Sequence, residues 1–450
     1  MNTILLEPTD VLFFRDGRPM EGSLAGHGAG WPLPNVISAA FHAALHRSGL
    51  GNQAHSHRRG ARGQYAEDAP RDRKFGSLAT AGPFPVRLTA EKGPGEWFFP
   101  RPQDLQDDTL QPGLLPTTRF DAKLSSLPQP LQYALGNLHA PKKESKVKAW
   151  LSKAAFEQYL KGQGGLANGA ACDDRDFSDE EHNIGIAIDP ETGTTGQGAA
   201  EGKFYSVHFL RLRRDWRLGV CAAAVDKDYA AHDRDLVRGL LNGDGRQIIV
   251  GGQQRLCTAT RVDTPALPLP EGISAGFARH NGKFLLKWVL LSPAIWPEIT
   301  ADPDRNIKAH PGGWLPNWIE PQTGAVLLTS GPGLRKAQRK HQDQGQPIPA
   351  RLVAALVPKP LVVTGWALPN ETDRPEGGAK STHLAVPPGA VYYFQAASED
   401  AARALAAALN WHGASNGAEI KNRRSTLLGE KGFGLGVCGT WRFYEEARKS

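Results

Sequence analysis

The 450-residue chain has no apolar run long enough to cross a membrane as a helix. Its longest nearly apolar stretch, 284–296, is broken by Lys287 and falls short of the roughly 18 residues a span needs. The amino terminus lacks a basic segment ahead of its apolar residues, and Glu7 cuts that run short, so no secretory signal is expected. Cysteine is scarce. The four residues at 172, 221, 257 and 438 form no C-x2-C pair, which argues against a zinc ribbon or a disulfide scaffold and for reduced thiols in a cytoplasm. The Gly-x-Ser-x-Gly and His-Glu-x-x-His signatures of hydrolases and zinc peptidases are missing. Asp173, Asp174 and Asp176 lack the glycine and glutamate that complete a calcium loop. Neither a metal nor a cofactor is expected.

What is present describes a folded, loop-rich protein of more than one domain. Apolar residues make up 40% and charged residues 22%, both ordinary for globular chains, while 50 glycines and 34 prolines exceed the usual share. The net charge of +7 is modest, but the cations cluster at 55–74, 142–153, 203–217 and 335–351, and acids gather at 173–181. Such asymmetry suits a polyanionic partner; solvated surface loops are the plainer alternative.

Hydrophobic patterning predicts strands at 3–14, 78–88, 96–99, 204–213, 217–225, 284–292, 361–366, 390–395 and 432–441. Helices are predicted at 36–45 with Asn35 as N-cap, at 145–159, 233–241 and 399–411. Residues 51–75 read as a basic loop. Two strand–helix sets fit an α+β fold of two modules with antiparallel sheets and long insertions, divided as 1–215 and 216–450.

Three segments carry candidate chemistry. Arg15 and Arg18 lie at the end of the first strand, where guanidinium groups can fork phosphate oxygens or stack on bases. Gly251 and Gly252 precede Gln253, Gln254 and Arg255, combining close backbone approach with amide and guanidinium donors. Gly432, Gly434 and Gly436 leave one face of the last strand without side chains, open either to a phosphodiester or to another strand of the protein. His27, in a glycine-rich stretch, is a further RNA-facing candidate and, with His42, the only acid or base suggested for RNA cleavage.

Taken together, blocks in order along nearly the whole chain resemble the third Cmr subunit, a RAMP protein of type III-B CRISPR effector complexes. They are Glu7-Pro8 with Val11 through Pro19, Trp31-Pro32-Leu33-Pro34, Gly82-Pro83-Phe84-Pro85, the segments 98–105, 182–189, 192–194 and 201–205, Gly251 through Arg255, 387–394 and the terminal glycine loop. Gln253-Gln254 stands where the family more often has an acidic residue, and the 51–75 and 335–349 stretches are longer than the family pattern. The type III-A counterpart shares the architecture. The resemblance implies two ferredoxin-like, RRM-related modules and no catalytic role. It implies a grip on the repeat-derived 5′ handle of the guide RNA, with the large polymerase-like subunit and a backbone RAMP subunit as partners and no membrane. On that reading Arg15, Arg18, His27, Gly251, Gly252, Arg255, Gly432, Gly434 and Gly436 contact RNA. The competing readings are a RAMP endoribonuclease processing repeat RNA and a small-molecule enzyme using the terminal glycine loop for phosphate.

Overall fold

Alternation along the first strand sets the layers. In the computed structural model, β1 (Asn2–Pro8) sends Ile4 and Leu6 to one face and Leu5 to the other. Ile4 and Leu6 meet Ile37 and Phe41 of α1 (Pro34–Arg47), whose first residue, Pro34, carries the fixed φ that suits a helix start. The N-cap is Leu33, not the expected Asn35, because the helix starts two residues earlier than expected, at that proline. The structure describes residues 1–15, 24–25, 30–48, 78–89, 93–107, 109–119, 126–138, 147–186, 188–189, 191–195, 204–226, 234–243, 245–305, 307–329, 346–367 and 378–448.

The first module continues through β2 (Ala79–Arg87), β3 (Glu96–Pro100), β4 (Trp150–Ser152), α2 (Lys153–Leu160), β5 (Ala171–Cys172), β6 (Ser178–Ile186), β7 (Phe204–Leu212), β8 (Trp216–Ala223), α3 (Leu236–Leu240), β9 (Arg246–Ile249) and β10 (Leu256–Val262). Its sheet runs β9-β10-β1-β8-β2-β3-β4-β5. The inner four strands are antiparallel in the order β10-β1-β8-β2, with α1 and α3 as the two crossovers. This is a ferredoxin-like β-α-β-β-α-β unit with both helices on one face.

A second copy of the plan follows. β11 (Ala278–His280), β12 (Lys283–Leu290), β13 (Ala350–Leu356), β14 (Val391–Ala396), α4 (Glu399–Leu409) and β15 (Gly436–Thr440) give the order β15-β12-β14-β13, with β11 beside the start of β12. Irregular chain with one short 3-10 turn, Pro303–Arg305, stands where the first crossover helix would be, among the described residues. Ser398 caps α4 by accepting from the Ala401 N–H. Leu405 and Leu409 then pack on Leu286, Trp288 and Phe394. The helix-free faces of both sheets meet in a shared core, where Leu5, Phe84 and Phe99 join Leu285, Val289 and Tyr393, with Phe156 and Tyr159 of α2 among them.

The antiparallel, two-module α+β expectation stands. The expected division at 215/216 needs correction: β8 and β10 pair with β1, so the first sheet extends to Val262 and the second begins at Ala278. An insertion of module size, 88–215, separates the second and third core strands and reads in sequence as half of a domain. The predicted 145–159 helix is shorter too. Ser152 ends β4 and accepts from the Ala155 N–H as N-cap, so α2 starts at Lys153. The basic loop expected at 51–75 lies outside the described residues.

Candidate nucleic-acid interface

The turn 251–255, which joins β9 to β10, closes onto the chain that follows β1. The Gly252 N–H donates to the Phe13 carbonyl at 2.9 Å. Leu12 and Leu210 exchange backbone hydrogen bonds at 2.8 Å, so the 11–13 segment lies between the turn and β7. Gly251 has φ +81°, and a Cβ there would lie 2.5 Å from the Phe13 carbonyl oxygen. A Cβ at Gly252 would lie 2.7 Å from the Phe13 ring. Both glycines are required by this internal contact, and Gln253 and Gln254, each with φ 52°, carry the turn outward.

Arg255 lies over the Phe209 ring at 4.8 Å, and Phe13 and Phe209 are tilted at 5.8 Å, so the cation rests on an aromatic pair. Its Nη1 is 3.7 Å from Asp10 Oδ2, its Nη2 donates to Gln253 Oε1 at 3.4 Å, and its Nε is buried without a partner among the described residues. Asp10 also receives Arg211 at 2.9 Å. The hydrogen bond from Arg211 holds the Asp10 carboxyl below the usual carboxylate range. Hydrogen bonds to Glu181 and Asp10 push the Arg211 guanidinium up. Arg15, exposed, ends the same 11–15 segment. Arg15 and the Gly251, Gly252, Arg255 turn, far apart in sequence, therefore share one region of the surface. Arg18 and His27 lie outside the described residues. His42 is on α1 with its ring 5.4 Å from His46.

The terminal glycines are arranged differently from the open face the sequence offers to a phosphodiester. Gly432 has φ +95°, and a Cβ there would lie 2.9 Å from the Thr80 carbonyl of β2 and 3.3 Å from Pro34. At Gly434 a Cβ would collide with the Ser425 backbone nitrogen, and at Gly436 with the Trp288 indole. All three glycines are buried. The protein's own backbone and indole occupy the space beside them, which is the crossing-strand alternative; Gly432 faces the first module, while Gly434 and Gly436 pack within the second. Nearby, burial lowers the Arg423 guanidinium to about 10, and its Nε has no hydrogen-bond partner among the described residues.

Charge pairing also revises the reading of the clusters. β6 and β7 are antiparallel neighbours, and their registered strands bring the acidic and basic groups face to face. Arg213 pairs with Asp179 at 3.0 Å, His208 with Glu180 at 2.7 Å, and Arg211 with Glu181. Lys148 pairs with Asp176 at 3.2 Å. Much of the 203–217 cation cluster is thus neutralised within the fold. The 55–74 cluster lies outside the described residues. Sequence reasoning quoted 182–189 as a block of the resemblance but did not read β6 as a strand; the acids at 179–181 ahead of Arg211 and Arg213 were the available signal.

Two ferredoxin-like modules joined through a common core define the class of protein. The family model described as "CRISPR-associated protein (Cas_Cmr3)" matches residues 4–441, and the chain belongs to that family. Comparison with curated proteins gives no match. Among solved structures, the chain is similar to chains of two cryo-EM structures of the Type III-B Cmr-beta bound to cognate target RNA, one also with AMPPnP. Each has 14% identity, covers 87% of this chain and 86% of that chain, and has a TM-score of 0.36. It is also similar to a chain of a Csm3-Csm4 subcomplex in the type III-A CRISPR-Cas interference complex, at 11% identity, 87% and 92% coverage and a TM-score of 0.36. No described helix is long and apolar enough to cross a membrane.

Proposed function

We propose that the chain is a non-catalytic, RNA-binding subunit of a type III CRISPR ribonucleoprotein. In this reading it holds the repeat-derived 5′ handle of the guide RNA and bridges the large subunit to the backbone subunits. Family membership supports the setting. The observation that carries the RNA contact is the convergence of exposed Arg15 with Arg255, which rests on Phe209 beside Phe13. Guanidinium groups supply charge and a planar fork for phosphates, and the neighbouring aromatic surface suits unstacked bases. Gly432 supports this surface indirectly, through its close approach to Thr80 and Pro34 of the first module, while Gly434 and Gly436 serve packing within the second.

The test is filter binding of repeat-derived RNA at two salt concentrations, using the full chain with its co-purifying effector subunits. Arg15→Ala with Arg255→Ala is expected to weaken binding and to flatten the salt slope by about one to two. A folded double variant with unchanged affinity and slope would overturn the assignment. Metal-independent cleavage of repeat RNA by the purified chain would replace it with the endoribonuclease reading.

A further inference from the structure

Asn422, Arg423 and Arg424 lie beyond the end of α4, and their side chains are satisfied unequally. Asn422 Nδ2 donates to the Ala407 and Asn410 carbonyls at 2.8 and 2.7 Å, and Arg424 Nε donates to the Ala408 carbonyl at 2.7 Å, so both close the end of the helix. Arg423 does not join them. Its stem runs against the short 3-10 turn Gly429–Lys431, where a Cβ on Gly429 would lie 3.5 Å from Arg423 Cβ and 3.9 Å from its Cδ. No carboxylate or carbonyl meets its guanidinium among the described residues, and its Nε is enclosed. A cation held out of water without a counter-ion is costly, and burial draws this one down to about 10. The acid whose charge reaches it is Glu430, exposed on that same turn and itself unpaired among the described residues.

We propose that residues 428–432 form a two-position latch: open, as in this structure, the turn is docked on the first module, and closed, Glu430 swings inward and pairs with the Arg423 guanidinium. The latch does not depend on the RNA-binding reading above.

The backbone supplies the hinges. Leu428 holds a left-handed φ of 59°, a conformation that is strained for a residue with a side chain, and Gly432 closes the turn at φ +95°. The open position is held from the first module. Gly432 approaches the Thr80 carbonyl and Pro34 so closely that a Cβ would lie 2.9 and 3.3 Å from them, and Leu427 and Leu428 pack with Leu33, Ile295 and Phe433. Those contacts stabilise the docked turn, while the unpaired guanidinium and the left-handed leucine oppose it. Closing removes both penalties at once, because the guanidinium gains a carboxylate and Leu428 can leave the left-handed region. Seating of the turn on the first module and the Arg423–Glu430 pair are therefore alternatives, and the latch reports whether the junction at Pro34 and Thr80 is made.

Hydrogen exchange on the full chain tests this. The Lys431 and Gly432 N–H groups donate to the Leu428 and Gly429 carbonyls, each at 3.0 Å, and these bonds break when the turn swings. Glu430→Gln removes the pair that stabilises the closed position and is expected to slow exchange at these two amides by at least about fivefold. Arg423→Gln is expected to do the same, and the two substitutions together to do no more than either alone. Gly432→Ala, which disturbs the seat on Thr80, is expected to speed exchange by at least about fivefold, and adding Glu430→Gln to remove most of that rise. Thermal melting verifies that each variant is folded. Unchanged or faster exchange in folded Glu430→Gln overturns the latch. So do effects of Arg423→Gln and Glu430→Gln that add, or a rise in Gly432→Ala that Glu430→Gln leaves intact.

Discussion

Lys287 Nζ lies 3.0 Å from Asp104 Oδ2, and both side chains are wholly buried. The lysine comes from the central strand of the second module and the aspartate from the insertion of the first. The Tyr159 hydroxyl donates to Asp104 Oδ1 at 2.7 Å, and Tyr393 donates to Oδ2 at 3.3 Å. The ammonium also sits 3.7 Å from the centre of the Tyr159 ring. Burial pushes the lysine below its usual range, and Asp104 opposes that shift. A buried pair of this kind adds little net stability over a well-packed apolar pair, but losing one partner leaves an uncompensated charge.

Lys287→Met is therefore expected to destabilise the protein by about 3–5 kcal/mol. Adding Asp104→Leu should recover a large part of that loss, since it removes the stranded carboxylate. Urea or thermal unfolding of the two single variants and the double variant checks this. Equal losses that simply add would show that the two groups are not coupled.

His412 gives stability a pH dependence. Its Nε2 accepts from the Gly272 N–H at 3.1 Å, and its Nδ1 is buried without a partner among the described residues. Burial holds the imidazole below its usual range. The unfolded chain takes up the proton near pH 6.5 while the folded chain resists it. Stability should thus fall as pH drops below about 7, by at most about 1.4 kcal/mol per pH unit, and level off below the folded-state pKa. His412→Gln should flatten the difference in melting temperature between pH 7.5 and 5.5.

Asp10 faces both Arg211 and Arg255. Asp10→Asn should free positive charge at the proposed RNA surface. Tighter binding of repeat-derived RNA and a salt slope steeper by up to about one are expected in the same filter assay. Weaker binding would show that Asp10 holds Arg255 in place instead of competing with RNA.

Gly434→Ala should act on the fold. Its backbone is left-handed at φ +75°, and a side chain there meets Ser425. A loss of about 1–2 kcal/mol is expected from the backbone conformation alone, with the clash adding to it. Melting temperature should drop, while the affinity of the folded fraction for RNA stays near wild type.

Much of the strand and helix content was legible because local patterning and packing agree. Ser398 before an alanine-rich amphipathic run, and the apolar 284–290 strand, mean the same thing in sequence and in structure. The module division was not legible, since pairing between β1 and β10 is a contact across some 250 residues that no local period reports. β6 escaped because its acids have low strand propensity and are stabilised by cross-strand partners on β7. The glycines were visible but ambiguous: an open face invites either a ligand or another part of the chain, and at 432, 434 and 436 the neighbours are protein.

The strand Gly436–Thr440 covers the edge of Leu286–Leu290, and the turn just before it packs against Thr80 and Pro34. During synthesis that apolar edge leaves the ribosome about 150 residues before its partner does and stays unpaired in the interval. Unpaired apolar edges recruit other strands, so a nascent chain halted after residue 428 should be caught by chaperones or aggregate. A chain truncated there should appear in the pelleted fraction on expression; a soluble, protease-resistant product would mean that the second sheet closes without its final strand.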